Sequence, residues 1–506
     1  MSTAWSLLPP LVALGLAVTT RRVVPSLAAG GLTGTVLIAG LDGGWGPVSL
    51  ARGVLDFVGA SGILGQVSKP SQAQVMLLIA LIGGFVALLE QSGAARALAA
   101  LITRGVRTPR QAMLATWAGG LALFFSDFGN VLILGPIFRP IYDALAIPRE
   151  KLAWIIDSTA APVCVLLPFV TWGVYAMGLI EQGFTGLDPV AVEAVAPGLW
   201  SAESGTVDGF SAFVRAIPFQ LYSLTCLALI PLVVAAGLGP TTRGGARPPE
   251  VEAPAGPLPT ARTAVLPLVV LFAVTAAVAG SAVASDGRLT GEGVRLALAA
   301  AYLAAIGTCL GLLAAQGRGE GMATVTRDGL GRTAPLLVLL LLAWTLGDVC
   351  RTLGTGAYLA GVLGPWMSAG ILPMALFAVG GLTSFATGTS WGTFAILMPL
   401  AIPLSVSLGA PAEVCIAAVL SGGVFGDHCS PISDTTLLAS LAAGVDHADH
   451  VASQLPYALL AGAAAAVGFA VAGVTGSPWS LAPALLVLVL AVGVGAQLRP
   501  RVAAQG

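Results

Sequence analysis

Runs of apolar residues long enough to cross a lipid bilayer recur along almost the whole of this 506-residue chain. A spanning helix needs about 20 mostly apolar residues. Only 9% of the residues are charged and 56% are hydrophobic, whereas soluble domains carry about 25% charged residues. So few charges cannot coat the surface of several soluble domains, and the apolar surface must face lipid. The composition excludes a soluble globular protein and predicts an all-α polytopic membrane protein embedded in a lipid bilayer.

Continuous and interrupted spans can be told apart. Continuous runs lie near residues 5–20, 26–41, 74–92, 213–237, 263–284, 294–316, 333–350, 357–380, 455–475 and 479–497. Other regions are long enough to cross but are interrupted by Gly, Pro or polar residues, namely 111–141, 152–181, 370–406 and 412–442. In transporters, broken helices of this kind carry the binding site. The interrupted regions are therefore the first place to look for function.

A weak internal repeat divides the chain. The triplet 92–94 (SGA) resembles 355–357 (TGA), and 133–136 (ILGP) resembles 396–399 (ILMP), both at an offset of 263 residues. Such repeats are usual in transporters. The predicted units are the N-terminal spans 1–73, a first transporter repeat 74–238, a polar linker 239–263, connecting spans 264–332, a second transporter repeat 333–475, and a C-terminal span and tail 476–506.

The distribution of basic residues predicts that the two repeats are inverted. Basic residues lie at both ends of region 111–141; they are Arg104, Arg107 and Arg110 at the first end and Arg139, Arg149 and Lys151 at the second. Both ends therefore prefer the cytoplasm, which predicts a re-entrant hairpin turning near residues 126–130. The counterpart region 370–406 lies within 352–498, a stretch without Lys or Arg, and is expected to open outward. The predicted fold has inverted repeats, two re-entrant hairpins and two broken transmembrane helices.

Two acids, Asp427 and Asp434, fall inside an otherwise apolar segment, with no Lys or Arg nearby in sequence. An ionisable residue at membrane depth costs at least about 2.5–3.5 kcal/mol, so it persists where it meets a polar cavity or a partner. Hydroxyl oxygens surround the two acids, on Ser430, Ser433 and Thr435. Oxygen ligands suit sodium, which predicts a sodium site at Asp427 and Asp434. Pairing with a distant base, protonation, and simple helix capping are the alternatives.

The first repeat offers matching groups. Asp127 and Asn130 lie at the predicted tip of the inward hairpin, and Asp157, Ser158 and Thr159 open a broken helix. The tip of the outward hairpin adds the hydroxyls of Thr387, Thr389, Ser390 and Thr393. Hairpin tips and broken helices that meet near the midplane would form one oxygen-lined ion site. Hydrogen bonding to the helix backbone is the alternative for each hydroxyl, and a position near the membrane surface is the alternative for Asp157.

The histidines lie at positions 428, 447 and 450. His428 follows Asp427 and is expected to modulate the pKa of that carboxyl, because histidine titrates near physiological pH. His447 and His450 are expected in a solvated loop. A metalloenzyme that uses Asp427, His428 and Cys429 is a weaker alternative, since no CxxC or HExxH motif accompanies them. Glu90 and Asp348 end apolar runs and are expected at the membrane interface.

The segment GDHCSPISDTT, residues 426–436, looks like the signature of the NhaC-type sodium/proton antiporter family. The resemblance extends to residues 147–175, 390–399 and 446–459, and so covers most of the chain from about 74 to 475. It implies an ion-transporter-superfamily fold with inverted repeats and paired hairpins, and exchange of sodium for protons. The family's first hairpin often carries two adjacent acids, whereas the tip here reads SDFGN. Asp127 and Asn130 carry over, but the coupling ratio stays open.

The hypothesis from the sequence is a secondary active transporter, not an enzyme, that exchanges sodium for protons across the cytoplasmic membrane by alternating access. Asp427 and Asp434, with Asp127 or Asp157, would bind either sodium or protons in competition. No cofactor is expected beyond these transported ions. A sodium- or proton-coupled transporter of an organic anion or amino acid is the alternative. A net charge of −1 without a basic block gives no sign of a nucleic-acid partner, and the sequence leaves open whether the chain forms a homodimer.

Overall fold

The structure, a computed structural model, describes residues 3–201, 205–241, 258–286 and 291–498. These ranges are almost entirely helical, apart from a small antiparallel hairpin of β1 (Trp200–Ser201) and β2 (Thr206–Val207). The prediction of an all-α architecture is confirmed. Most of the predicted linker, residues 242–257, and the end of the tail, residues 499–506, lie outside the described residues.

The N-terminal region is a group of helices that pack on one another in chain order. They are α1 (Leu8–Thr20), α2 (Val23–Gly43), α3 (Pro47–Val58) and α4 (Ile63–Val67). Together α3 and α4 form a 21-residue stretch apolar enough to span a membrane. The sequence analysis missed this stretch because Arg52 and Asp56 interrupt the apolar run; the two residues form an ion pair one helical turn apart.

The first half continues with helices that carry two of the predicted breaks. They are α5 (Pro70–Gln91), α6 (Ala94–Ile102), α7 (Pro109–Ala122), α8 (Asp127–Ala144), α9 (Arg149–Ser158), α10 (Ala161–Cys164), α11 (Thr171–Phe184), α12 (Pro189–Val195), α13 (Gly209–Ala216) and α14 (Leu221–Ala235). The predicted continuous span 213–237 is bent by 44° at Gln220. Asp127 and Asn130 lie in the first turn of α8, just past the connection between α7 and α8.

The second half follows two connecting spans. Its helices are α15 (Arg262–Asp286), α16 (Gly291–Ala315), α17 (Met322–Arg332), α18 (Ala334–Thr352), α19 (Thr355–Leu363), α20 (Leu372–Thr387), α21 (Ser390–Leu408), α22 (Ala412–Cys429), α23 (Asp434–Ala443), α24 (His447–Thr475) and α25 (Leu481–Leu498). The predicted span 357–380 is wrong, because the helix ends at Leu363 before Gly364 and Pro365. Proline cannot continue the hydrogen-bond ladder of the preceding helix.

The order of elements repeats between the two halves. Each of α6 and α19 has nine residues and starts after a glycine with positive φ, Gly93 and Gly354 respectively. The prolines inside α8 recur in α21 at the offset of 263 residues. Glu150 and Glu413 occupy the first turns of α9 and α22 at the same offset. The internal repeat is thus visible in the helices themselves, while its inversion across the bilayer and the re-entrant paths of α7–α8 and α20–α21 stay predictions.

Helices at the centre of the fold differ from those at the periphery. Within the described residues, ten helical stretches are long and apolar enough to cross a membrane, or eleven with the bent pair. The apolar stretch of α22 is 89% buried by protein, whereas the apolar stretch of α25 and its preceding turn is 17% buried. Peripheral helices therefore present apolar surface to lipid, and α22, which carries Asp427, lies at the protein core. The chain is a multi-pass membrane protein.

The two halves interlock through their broken segments. Helix α11, which follows the break in the first half, packs on α21 of the second half. Helix α23, which follows the break in the second half, packs on α8 and α9 of the first. Close approach of α22 to α20 depends on glycine, since a Cβ at Gly426 would overlap the carbonyl oxygen of Gly381. This packing places the four predicted breaks around one interface between the halves.

Candidate functional site

Asp427 joins the end of α22 to the start of α21. Its Oδ2 accepts hydrogen bonds from the backbone N–H of Ser390 at 3.3 Å and from the Ser390 hydroxyl at 2.7 Å. Ser390 is the first residue of α21, where free N–H groups favour a negative charge. The other carboxylate oxygen, Oδ1, is buried and has no hydrogen-bond partner. Helix capping therefore accounts for one oxygen of Asp427 and leaves the second available to a ligand.

Asp127 begins α8, the position at which Ser390 begins α21 in the second half. Its Oδ2 accepts from the indole N–H of Trp172 at 3.2 Å, and its Oδ1 accepts from the backbone N–H of Phe128 at 3.0 Å. The ring of Trp172 packs on that of Trp391, with centroids 4.4 Å apart. Trp391 directly follows Ser390, so this aromatic pair brings the starts of α8 and α21 together.

Asn130 ties three chain segments to one another. Its side-chain amide donates to the carbonyl of Gly120 in α7 at 2.8 Å and to that of Thr159, in the break after α9, at 3.1 Å. Its Oδ1 is buried and, like Oδ1 of Asp427, has no hydrogen-bond partner. Burying an acceptor without a donor costs about 1–3 kcal/mol, and the oxygen keeps its lone pairs available for a cation.

Asp434, the first residue of α23, is exposed. Ser433, one residue earlier, is the N-cap of α23, which corrects the alternative that Asp434 itself caps this helix. Asp434 accepts from the backbone N–H of Thr435 at 2.9 Å. Its charge acts on both Asp127 and Asp427, so the three carboxylates belong to one electrostatic environment.

The hydroxyls predicted to line the site divide into two groups. Most bond to the backbone, as the capping and packing alternatives expected: Thr159 to Ile155, Thr387 to Thr383, Thr393 to Thr389, and Ser430 to Phe385. Ser433 and Thr435 bond to each other at 3.0 Å, and Thr389 is the N-cap of α21 without a side-chain cap bond. Ser158 contacts His428, Ser390 contacts Asp427, and Ser433 also interacts with Asp427.

Asp157 is the centre of a second buried cluster. Its Oδ2 accepts from the amide of Gln454 at 2.7 Å, and lies 3.5 Å from Nε2 of His450 and 4.0 Å from Nε2 of His428. Only 2% of Asp157 is exposed, so its side chain lies inside the protein. His428 also contacts Ser158 at 3.2 Å and the hydroxyl of Tyr222 at 2.6 Å. Its contacts are with the Asp157 cluster, although the sequence analysis linked it to Asp427.

The expectation of a solvated loop is wrong for His450, and His447 begins a helix instead of lying in a loop. Both residues lie in the first turns of α24, and His450 is fully buried. His447 bonds to the Ser440 hydroxyl at 3.0 Å and to the carbonyl of Pro431 at 2.7 Å. The four-residue spacing of His450 and Gln454, which puts both on one helix face, was the overlooked signal. Among the described residues, no group of three or more His, Cys, Asp or Glu side chains is arranged to hold a metal ion.

The two acids expected at the interface have different surroundings. Asp348 accepts from Lys69 at 3.1 Å, from Arg351 at 2.6 Å and from Gln182. Its charge is therefore balanced within the protein. Glu90 lies beside Ser126 at the start of α8. By contrast, no Lys or Arg in the described ranges forms an ion pair with any of the four carboxylates Asp127, Asp157, Asp427 and Asp434.

The protein is a multi-pass membrane protein with two repeated halves, and buried carboxylates without basic partners lie at the helix breaks of both halves. This combination defines a secondary transporter. The chain belongs to the Na+/H+ antiporter family, whose model matches residues 163–474. The resemblance to the NhaC-type antiporters is thereby confirmed. Membership also confirms that the protein is a transporter and not an enzyme.

Relatives and a solved structure agree with this assignment. An uncharacterized protein of Haemophilus influenzae is 31% identical over 518 aligned residues, which cover 97% of this chain and 96% of that protein. The malate-2H(+)/Na(+)-lactate antiporter of Bacillus subtilis is 34% identical over 22% of this chain and 27% of its own length. The Na(+)/H(+) antiporter NhaC of Alkalihalophilus pseudofirmus is 33% identical over 18% of this chain and 23% of its own length.

The fold resembles that of MtrF from Neisseria gonorrhoeae, with a TM-score of 0.60 and 16% sequence identity. The match covers 93% of this chain and 95% of MtrF. At this level of identity the likeness establishes a shared transporter fold. It extends over nearly the whole chain.

Proposed function

We propose that the protein exchanges sodium ions for protons across the cytoplasmic membrane, with the sodium bound between the starts of α8 and α21. The observation that carries this proposal is the pair of buried acceptors without donors, Oδ1 of Asp427 and Oδ1 of Asn130. Sodium is bound by carboxylate, amide and carbonyl oxygens of this kind. The exposed Asp434 would attract the cation, and Asp127 would add its charge.

Exchange of sodium for protons follows because a carboxylate that nothing neutralises is costly inside the membrane. Carboxylates without basic partners are stable at membrane depth when a cation or a proton neutralises them. A site that changes sides only when neutralised carries sodium one way and protons the other, without leak. The packing of α11 on α21 and of α23 on α8 supports a site at the interface between the halves, where a rocking motion would open it to either side.

The family and the NhaC relative support sodium and protons as the transported species. A second candidate is sodium- or proton-coupled transport of an organic acid or amino acid, as in the name of the Bacillus subtilis relative. A cavity of about 660 Å³ favours it; the cavity is lined by residues of both charge signs, including Lys69, Glu181 and Arg295. That volume is far larger than one ion requires.

The test is proton movement in proteoliposomes that contain the purified protein and a pH-sensitive dye. An imposed sodium gradient alone is expected to drive protons in the opposite direction. The same measurement with malate, lactate or arginine added distinguishes the second candidate. Proton movement that appears only when one of these organic molecules is present would contradict simple sodium/proton exchange.

A further inference from the structure

The carboxylate of Glu90 contacts the start of α8, although Glu90 belongs to α5. It is the last residue but one of α5 and is half-buried. Its carboxylate interacts with the hydroxyl of Ser126, the N-cap of α8. A Cβ at Gly129, in the first turn of α8, would overlap Oε1 of Glu90. Glycine at this position therefore lets the carboxylate approach the backbone of α8 closely.

Ser126 controls the geometry of the first turn of α8. Its hydroxyl oxygen accepts from the backbone N–H of Gly129 at 2.9 Å, and its carbonyl accepts from the backbone N–H of Asn130 at 2.9 Å. A serine hydroxyl also has one hydrogen to donate, and Glu90 is an acceptor beside it. When that hydrogen points to Glu90, the lone pairs of the hydroxyl face Gly129, which is the arrangement that an N-cap needs.

The turn that Ser126 caps carries two groups of the proposed sodium site. Asp127 follows Ser126 directly, and Asn130 lies in the same turn. The amide of Asn130 is already fixed by the carbonyls of Gly120 and Thr159, while its Oδ1 has no hydrogen-bond partner. Binding groups must be held within about 0.5 Å of their productive geometry. A shift of this turn is therefore expected to weaken sodium binding.

The second half fixes its own helix start with a carboxylate from a different position. There, Asp427 accepts from Ser390, the first residue of α21. At the repeat offset of 263 residues, Glu90 corresponds to Leu353, which has no carboxylate. Each helix start is therefore in contact with a carboxylate of another helix, and the two carboxylates come from different places in the repeat.

A basic side chain accompanies Glu90. Arg332, the last residue of α17, is close enough to attract the charge of this carboxylate, and α17 packs along α5. A carboxylate whose charge is offset by a neighbouring base attracts a mobile cation less strongly than one without such a neighbour. Glu90 is therefore better suited to holding the start of α8 than to binding the ion itself.

We propose that Glu90 is a positioning residue of the sodium site, which acts through the cap of α8. This proposal rests on the proposed function. Glu90 fixes the Ser126 hydroxyl, Ser126 fixes the first turn of α8, and that turn presents Asp127 and Asn130 to the ion. Loss of the acceptor at position 90 lets the turn shift and weakens sodium binding, while the later steps of the transport cycle keep their rate.

Substitutions at position 90 test this role through the KM and kcat of sodium-dependent proton flux in proteoliposomes. Glu90→Ala removes the acceptor, so its KM for sodium is expected to rise at least about fivefold, with a kcat within about twofold of wild type. Glu90→Gln keeps an oxygen that can accept from Ser126, and its KM is expected to stay within about twofold of wild type. Glu193→Ala is the control, because Glu193 accepts from the backbone N–H of Gly198 in an exposed region outside the site. Its KM is expected to be unchanged.

A double-mutant cycle tests whether Glu90 acts through Ser126. Ser126→Ala is expected to raise the KM for sodium about as much as Glu90→Ala does. If the two residues act as one unit, the variant that combines both substitutions has about the KM of Ser126→Ala alone. Independent effects would instead multiply, and such a product would contradict action through the cap.

Three other outcomes would overturn the proposal. An unchanged KM in Glu90→Ala would show that the sodium site does not depend on this residue. A lower Tm and kcat with an unchanged KM would show a role in stability alone. An equally raised KM in Glu90→Ala and Glu90→Gln would show that the charge matters and not the acceptor for Ser126.

Sodium binding without transport separates this proposal from the proposed function. A ligand that binds the folded state raises the Tm, so the sodium concentration that half-saturates the rise in Tm in detergent measures binding. Glu90→Ala is expected to need at least about fivefold more sodium than wild type, and an equal requirement would contradict the positioning role. A wild-type protein that binds sodium in this way but shows no sodium-dependent proton flux would contradict the proposed function alone.

Discussion

The hydroxyl and the backbone N–H of Ser390 donate to one and the same oxygen of Asp427, at 2.7 and 3.3 Å. The carboxylate at the end of α22 is thereby fixed to the first turn of the preceding helix, α21. The two hydrogen bonds from Ser390 orient the Asp427 carboxylate through one of its oxygens. The second oxygen is buried and has no hydrogen-bond partner. This arrangement positions a charged ligand group in advance, so little ordering cost accompanies ion binding.

Ser390→Ala removes the shorter of these two hydrogen bonds. Hydrogen bonds to charged groups contribute about 1.5–3 kcal/mol, so we expect the KM for sodium to rise about tenfold or more. Sodium-dependent proton flux over a range of sodium concentrations measures this change. Ser407→Ala is the control, because Ser407 is exposed on the same helix and bonds to the carbonyl of Pro403. An unchanged KM in Ser390→Ala would show that the sodium site lies elsewhere.

Trp172→Phe keeps an aromatic ring against Trp391 but removes the N–H that donates to Asp127 at 3.2 Å. Without this donor the carboxylate is held less firmly, and we expect a severalfold higher KM for sodium with a small change in thermal stability. Trp344→Phe is a matched comparison, since the Trp344 N–H bonds to the carbonyl of Gly178 at 2.9 Å. Trp344→Phe is expected to lower stability and leave the KM for sodium unchanged. If Trp344→Phe raised the KM and Trp172→Phe did not, a role of Asp127 in the site would be contradicted.

Gly426→Ala tests the close packing of α22 on α20. The added Cβ would overlap the carbonyl of Gly381 and contact the backbone of Phe385, and overpacking of this kind costs about 1–3 kcal/mol. We expect a lower Tm in detergent, measured by intrinsic fluorescence. At Gly311 in α16 an added Cβ meets nothing within 4 Å, so Gly311→Ala is expected to leave the Tm unchanged or raise it. Equal Tm values for the two variants would argue against this helix contact.

The sequence predicted where the helices break and which acids are buried better than it predicted the residues that contact those acids. Gly, Pro and hydroxyl residues marked the breaks at 388–389 and 430–433, because such residues disrupt the helix ladder locally. The first hairpin turn was predicted near 126–130, whereas α7 and α8 part at 123–126 and Asp127 already begins α8. The acids of these segments could be singled out because a charge is costly in an apolar run. The same patterns predicted a single span over residues 357–380, because the long apolar run hid the helix end marked by Gly364 and Pro365.

Contacts between distant segments could not be predicted. Gln454 and Asp157 are 297 residues apart in sequence yet share a hydrogen bond of 2.7 Å, which arises from the packing of α24 on α9. His450 was assigned to a loop because its neighbours Asp446 and Asp449 are polar. Its burial depends on which helix face meets α9, and the local sequence alone does not specify that choice.

The most direct test of the account is sodium-dependent proton flux in proteoliposomes that contain Asp427→Asn or Asp434→Asn. Each substitution removes a carboxylate charge from the site, and Asp188→Asn removes one from an exposed N-cap outside it. The account predicts that flux is abolished in the first two variants, which still elute as folded protein, and is retained in Asp188→Asn. Wild-type-like exchange in both Asp427→Asn and Asp434→Asn would contradict it.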